Sequence, residues 1–292
     1  CFYVESPATR LLLKKLWAGM PPARKAVADV FEYLVVVSSI IRPAANVFAD
    51  EFVRRAHGQR YRSPHPLLDD VLQETHGIMV YQEQVMQAAQ LIGGYTLGGA
   101  DLLRRAMGKK KPEEMAKQRE IFTVGAQKNG LSEPKATELF DLMEKFAGYG
   151  FNKSHSAAYA LVAYQTAYFK THHSAAYMAA TMSSEMADTD KVQHFYEDAL
   201  ANKLKVLPPD VNRSSYRFVP IDAATIDYGL GAIKGTGEGA IENIVAERQR
   251  NGPYRDLFDF CRRVDKRIVN RRVVEALRRF VFRAVISLVT GI

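Results

Sequence analysis

The residues best suited to chemistry lie in "GYGFNKSHSAAYALVAYQT", Gly148 to Thr166. Tyr149 and Phe151 offer flat apolar faces, and Asn152 and Ser154 can cap the helix that the alanine-rich remainder predicts from about Ser156. Lys153 and His155 add donors at the positive end of that helix. A phosphate or triphosphate suits such a set; a plain helix cap beside a surface histidine is the simpler use of the same side chains.

A second group occurs in "ADLLRRAMGKKKPEE". Arg104 and Arg105 sit near the end of a helix expected over Ala100 to Met107, and Lys109, Lys110 and Lys111 follow in a loop whose charge Glu113 and Glu114 offset only in part. Leu102 and Leu103 are expected to anchor this helix, which leaves the arginines placed for bidentate phosphate contacts. A solvated charged face is the alternative.

The third group is "IKGTGEGAIENIVAER". Gly235, Gly237 and Gly239 precede an amphipathic helix, so backbone N–H groups can approach an anion closely, and Lys234 adds charge. The spacing is G-x-G-x-G rather than the dinucleotide G-x-G-x-x-G, and no Gly-Lys-Ser/Thr follows as in a P-loop. Two readings stand: a hairpin that grips a nucleic-acid backbone, or a tight turn. Asp188 and Asp190 form a pair of a kind that Mg²⁺ accepts, yet "ADTDKV" reads as a helix start. His172-His173 lacks the spacing of a zinc site and belongs at a helix end.

The elements that must position these groups are mostly helical. The chain has 292 residues, 47% hydrophobic and 25% charged, enough for one large or two modest cores. Its longest apolar runs, Leu34 to Ile41 and Val285 to Val289, are far short of the roughly 20 residues that span a bilayer, so no membrane segment is expected. The two cysteines, Cys1 and Cys261, suggest no disulfide framework and fit a reducing, cytoplasmic setting. The opening "CFYVES" reads as the middle of an element, so a piece of a longer protein is expected. From Arg248 to Arg283, twelve basic residues meet four acidic ones, and that surplus equals the net charge of +8. A local surplus of this kind marks a surface for a polyanion, nucleic acid first, or a solvated basic face.

One helix is predicted over Pro66 to Glu74 and another over Gln82 to Ile92, with Gly93-Gly94 and Gly98-Gly99 bracketing a loop. Ser132 is a plausible cap for a helix running to about Phe146. "LPPDVN", Leu207 to Asn212, forbids continuation and marks a boundary, after which Arg217 to Val219 and Thr225 to Tyr228 are expected to pair as short strands. The expected organisation is a helical domain over 1–207 and a smaller module over 208–292 with short strands, a glycine hairpin and basic helices.

"HGIMVYQEQVMQAAQLIGGYTLGGADLLRRAMGKKKPEEMAKQR", "FAGYGFNKSHSAAYALVAYQT", "LPPDVN" and "YGLGAIKGTGEGAIENI" closely resemble, in this order, the fingers region of the alpha subunits of bacterial DNA polymerase III, the C-family replicative polymerases. The resemblance covers about Cys1 to Arg279; the first 80 or so residues are the most divergent and the tail from about 280 is atypical. It implies a mainly α fold, a helical fingers domain followed by a small α+β module with a helix-hairpin-helix-like glycine turn. It also implies DNA-templated DNA synthesis by the parent enzyme, a DNA-directed DNA polymerase. Arg104, Arg105, Tyr149, Asn152, Lys153 and His155 are then expected near the incoming dNTP or the templating pair, and Lys234, Gly235, Gly237 and Gly239 on DNA. The implied partners are template–primer DNA, dNTP, the sliding clamp and other replicase subunits. Mg²⁺ would be held by palm aspartates expected outside this chain, so the chain alone is expected to be inactive. "IIRPAAN", Ile40 to Asn46, stands where the family has R-P-G-P, and no nucleotide contact is carried over to Arg42. The rival functions are a noncatalytic nucleic-acid-binding module and a helical scaffold for partner proteins.

Overall fold

Helix-forming signals begin at once. Ser6 accepts the backbone N–H of Thr9, and Pro7 opens α1, Pro7–Ala18. The computed structural model describes residues 1–26, 28–41, 46–109, 111–147 and 150–281; Arg42, Lys110, Tyr149 and the tail from 282 lie outside them. The chain divides into two units, Cys1–Gln165 and Thr166–Ile292, and the division falls within one helix.

In the first unit, α2 (Pro22–Lys25) leads to α3 (Val30–Ile40), capped by the Asp29 carboxylate, which accepts from Phe31 and Glu32. Val35, Val36, Val37 and Ile40 are all buried, as an apolar run on every side of a helix requires. After α4 (Ala49–Ala56), the Pro66 to Glu74 stretch is not the single helix its periodicity predicts. It breaks into 3₁₀ turns around the four-residue α5, Asp69–Leu72, and ends at His76 in the left-handed region, φ 52°. One amide explains the break. The buried Gln84 side chain accepts from Val80 and Tyr81 N–H at 2.8 and 3.0 Å, and donates to the Val71 carbonyl at 3.1 Å and Thr75 Oγ1 at 2.9 Å. All its hydrogen-bonding capacity goes to holding residues 71–81 against the next helix.

That helix is α6, Gln82–Gly93, followed by α7, Leu97–Lys109. Gly98 and Gly99 therefore lie inside α7 and do not border a loop: the chain turns at Gly94, φ 68°, and starts the next helix sooner than the glycine spacing suggests. α8 (Pro112–Lys128) crosses the end of α6 so closely that a Cβ on Gly125 would collide with the Gly93 carbonyl oxygen. α9 (Glu133–Ala147) begins directly after Ser132. The core joins Phe52, Leu72, Ile92, Leu103, Phe122 and Phe140, none more than 1% exposed. α10 spans Lys153–His172.

In the second unit, α11 (Ser174–Ser184) and α12 (Thr189–Ala201) precede a three-stranded sheet. Its strands are β1 (Lys205–Leu207), β2 (Val219–Pro220) and β3 (Thr225–Asp227), in the order β1-β3-β2. β2 and β3 pair as expected, in antiparallel sense, although β2 starts only at Val219 and not at Arg217, and β1 adds a parallel strand that three residues before two prolines did not announce. α13 (Glu238–Asn251), α14 (Leu257–Arg263) and α15 (Arg271–Val281) complete the unit around Leu230, Ile241, Ile244, Phe260 and Leu277. The fold is mainly α with one small sheet. Among the described residues no helix is long and apolar enough to cross a membrane.

Candidate functional site

The first turn of α6 is where two separate motifs meet. Tyr81 and Phe151 form an isolated parallel bridge, with Phe151 N–H donating to Val80 O at 3.1 Å and Gln82 N–H to Phe151 O at 2.9 Å. This sets the loop before α10 beside Gln82 and Glu83. Gln82 Nε2 donates to Gly150 O at 3.0 Å, and Gln82 Oε1 accepts from Arg104 Nη1 at 3.1 Å. One side chain thus links the "LRRAM" helix to the "GYGFNKSHS" loop.

Carboxylates hold the cations of both motifs. Asp101 accepts from Arg104 Nε and Nη2 at 2.9 and 2.7 Å and pairs with Arg105 at 2.8 Å. The hydrogen bond from Arg104, with the adjacent Arg105 charge, keeps the Asp101 carboxyl below the usual carboxylate range. Lys153 Nζ pairs with Glu74 and lies 5.5 Å from the centre of the Tyr81 ring. Burial pushes the Tyr81 phenol well above its ordinary value, and Glu74, Glu32 and Glu83 add to the effect.

Asn152 is the cap of α10: its Oδ1 accepts the His155 N–H at 2.8 Å, while its amide donates to Glu83 at 2.8 Å. Glu83 also accepts the Lys153 N–H at 2.9 Å, so a carboxylate already occupies the positive end of the helix. Ser154 is inside the helix, which starts at Lys153 and not at Ser156. The His155 ring packs against Phe151 and Tyr159, at 5.1 and 4.2 Å between centroids. Tyr149 lies outside the described residues.

Leu103 anchors α7 at 0% exposure, but Leu102 is 61% exposed. Consecutive helical residues face about 100° apart, and at this point of α7 the core takes Leu103 and leaves Leu102 outside. Glu74, Gln82, Glu83 and Asp101 were not singled out from sequence. Asp101 had a readable signal, standing three and four residues before Arg104 and Arg105, the spacing of helical ion pairs; Glu74 and Glu83 act at distances of about seventy residues along the chain and had none.

In the second unit, Gly235 has φ 104° and faces α15, where a Cβ would stand 3.4 Å from Ala276 Cβ. Thr236 Oγ1 closes the turn by donating to Leu230 and Ile233 carbonyls, each at 2.7 Å. Gly237 is the cap residue of α13, with no side chain bonded to the helix end, and Gly239 is already within the helix. Lys234 is exposed, and Arg272 shares with Gly235 and Gly237 a cleft of about 510 Å³. The Asp188 carboxylate caps α12, accepting from Asp190 and Lys191 N–H at 3.1 Å each. Among the described residues no group of three or more His, Cys, Asp or Glu side chains could hold a metal ion.

Residues 18–130, which contain α6, α7 and Asp101, match the model of the bacterial DNA polymerase III alpha subunit finger domain, and residues 203–280 match a helix-hairpin-helix motif. The chain is 60% identical over 249 residues to the DNA polymerase III subunit alpha of Neisseria meningitidis serogroup B, a match covering 85% of the chain and 22% of that protein. The chain belongs to the bacterial DNA polymerase III alpha subunit family. It is also 55% identical over 277 residues to the subunit of Xylella fastidiosa and 49% identical over 284 residues to that of Escherichia coli, each match covering 94% of the chain. It spans 22–24% of the length of these polymerase relatives. Within the family frame, Arg104 and Arg105 fall in the finger-domain match and Lys234 to Gly239 in the hairpin match.

Proposed function

We propose that this chain serves DNA-templated DNA synthesis by binding the incoming dNTP and the template–primer as the fingers of a DNA polymerase III alpha subunit. The observation that carries the reading is the Arg104–Gln82–Gly150 link, which joins the two cationic motifs through one helix turn. Asp101, Glu74 and Glu83 hold the Arg104, Arg105, Lys153 and Asn152 donors in place without closing them off: Arg105 is 61% and Lys153 35% exposed at the side chain. A triphosphate brings more charge than any one carboxylate, and takes over donors already oriented toward an anion. Lys234, the Gly235–Gly237 turn and the uncapped start of α13 bind template–primer phosphates, with Arg272 beside them.

On this reading the chemistry of nucleotidyl transfer, with its Mg²⁺ ions, belongs to carboxylates other than those described here, and the sliding clamp and other replicase subunits are partners of the parent protein in the cytoplasm. The test is titration of a fluorescent dNTP into the 292-residue chain and its variants. Arg105→Ala should weaken binding roughly tenfold or more, the loss of a charge-assisted contact, while Lys111→Ala should change it little, because Lys111 is exposed and paired with Glu114. Equal behaviour of the two variants would reduce the cluster to surface charge and favour a noncatalytic nucleic-acid-binding module.

A further inference from the structure

A second cationic cluster lies in the first unit, away from the residues assigned above. Arg24 comes from α2, Arg55 from α4, and Arg60 and Arg62 from the segment after it, yet all four line one cleft of about 660 Å³. Among the described residues no carboxylate lines it, although Glu51 pairs with Arg55 from the same helix. Arg55, Arg60 and Arg62 are near neighbours in sequence, and folding adds Arg24 from another helix, bringing like charges together at an electrostatic cost.

The cleft is built with some care. Arg24 donates to Ala56 O at 3.3 Å and lies over Gly58, φ 111°, where a Cβ would come within 3.2 Å of Arg24 Nε. Arg55 donates to His76 O at 2.8 Å, pairs with Glu51, and stacks 5.0 Å from the Tyr61 ring centre. The Tyr61 ring rests on Gly77, φ 78°, where a Cβ would be 2.6 Å from the ring. Among the described residues neither Arg60 nor Arg62 has a carboxylate partner, and both are exposed. Tyr61 and Arg62 also line an adjoining hollow, where Asp69 and Asp70 supply negative charge.

We propose that this arginine cleft is a second phosphate-binding site, seating the sugar–phosphate backbone of a nucleic-acid strand. Planar guanidinium forks match phosphate oxygens two at a time, and an exposed tyrosine ring at the edge offers a surface for a sugar or base. An acidic peptide would gain the charge but not the ring. The His76 imidazole, which lines the cleft and bonds the Tyr33 hydroxyl at 3.2 Å, supports the assignment, because burial, then Arg24 and Arg55, lower its pKa to about 4 and keep the ring neutral. An arriving phosphate offsets those charges and raises the His76 pKa. The assignment goes beyond the nucleotide site and stands whether or not Arg105 and Lys153 bind a triphosphate.

The test uses the 292-residue chain and the double variant Arg60→Ala/Arg62→Ala, whose positions are exposed and outside the core, with its melting temperature as the folding control. Binding of a 20-base-pair duplex and of a dT oligomer is measured across a salt series. Loss of two phosphate contacts should lower the slope of log K against log salt by about 1.8 for duplex or about 1.4 for single strand, with fluorescent dNTP binding unchanged. The His76 imidazole resonance should titrate at higher pH in the presence of the DNA, and less so in the double variant. An unchanged slope in a folded double variant would overturn the proposal. So would pyrophosphate moving the His76 titration when neither DNA does, which would make the cleft a free-phosphate site. Failure of the dNTP reading shows instead as an unaltered Arg105→Ala titration and leaves these slopes untouched.

Discussion

Arg104 and Gln82 are joined at 3.1 Å, and through that bond a guanidinium on one helix is fixed relative to the loop that opens another, since the same amide donates to Gly150 O at 3.0 Å. Gln82→Ala should therefore free the 150–153 loop without disturbing the core beneath it. Amide exchange at Phe151 and Lys153 should accelerate, and dNTP affinity should fall by less than the roughly tenfold loss expected for Arg105→Ala. Unchanged exchange at both amides would show that the backbone bridge alone holds the loop.

His76 gives the fold a pH signature. Its pKa is about 4 in the folded chain against an ordinary 6.5, so between those values the unfolded chain binds more protons and stability rises with pH. Stability should fall as pH drops from about 6.5 to about 4 and level off below, as far as this residue is concerned. Asn tolerates the left-handed backbone of His76 and does not titrate, so urea midpoints of His76→Asn should vary less across that window than those of the parent chain. Parallel curves would mean that the ring is charged in the fold.

Gly125→Ala should destabilise the first unit by at least about 1–3 kcal/mol, the cost of overpacking where two backbones touch. Gly108→Ala is the matched control, because nothing lies within 4 Å of a Cβ there and the residue is helical. Thermal melts of the two variants decide the point, and similar melting temperatures would mean that α6 and α8 can separate without cost.

Lys234→Ala should weaken DNA binding to a similar extent for unrelated sequences and lower the salt slope by about 1, the behaviour of a phosphate contact. Sequence-selective loss in a filter-binding series would point to base contacts at the glycine turn.

The 292-residue chain is expected to give no Mg²⁺-dependent primer extension, since the Asp188 carboxylate is committed to capping α12. Extension by the pure chain, abolished by Asp188→Ala, would reverse that view.

Periodicity and capping chemistry made much of this fold legible. Asn152 as a helix cap, the Gln82 start of α6 and the β2–β3 pairing all rest on contacts within a few residues, where spacing is informative. The misreadings differ in cause. Gly98-Gly99 resembled punctuation, but Thr96 Oγ1 accepts the Gly99 N–H at 3.1 Å and both glycines lie within the helix; Pro66 to Glu74 resembled one helix until the Gln84 amide, reaching back to Val71 and Thr75, drew the segment into shorter turns. In the candidate site, the donors were legible by type and Asp101 by its spacing, whereas Glu83 and Glu74 reach Asn152 and Lys153 from 69 and 79 residues away. In the arginine cleft, Arg55, Arg60 and Arg62 stand close together in sequence, and only the approach of Arg24 needed the fold.

The Gln84 amide has a consequence for how the molecule opens. Its four bonds close residues 71–84 into one cooperative unit, much as a covalent crosslink would. That unit carries Glu74, which holds Lys153, and His76, whose carbonyl holds Arg55. A single local unfolding event at Gln84 would therefore release both cationic clusters together. Their exchange lifetimes should be the same even though they face different ligands, and whatever anion settles in one lengthens the residence of the other in its ordered form.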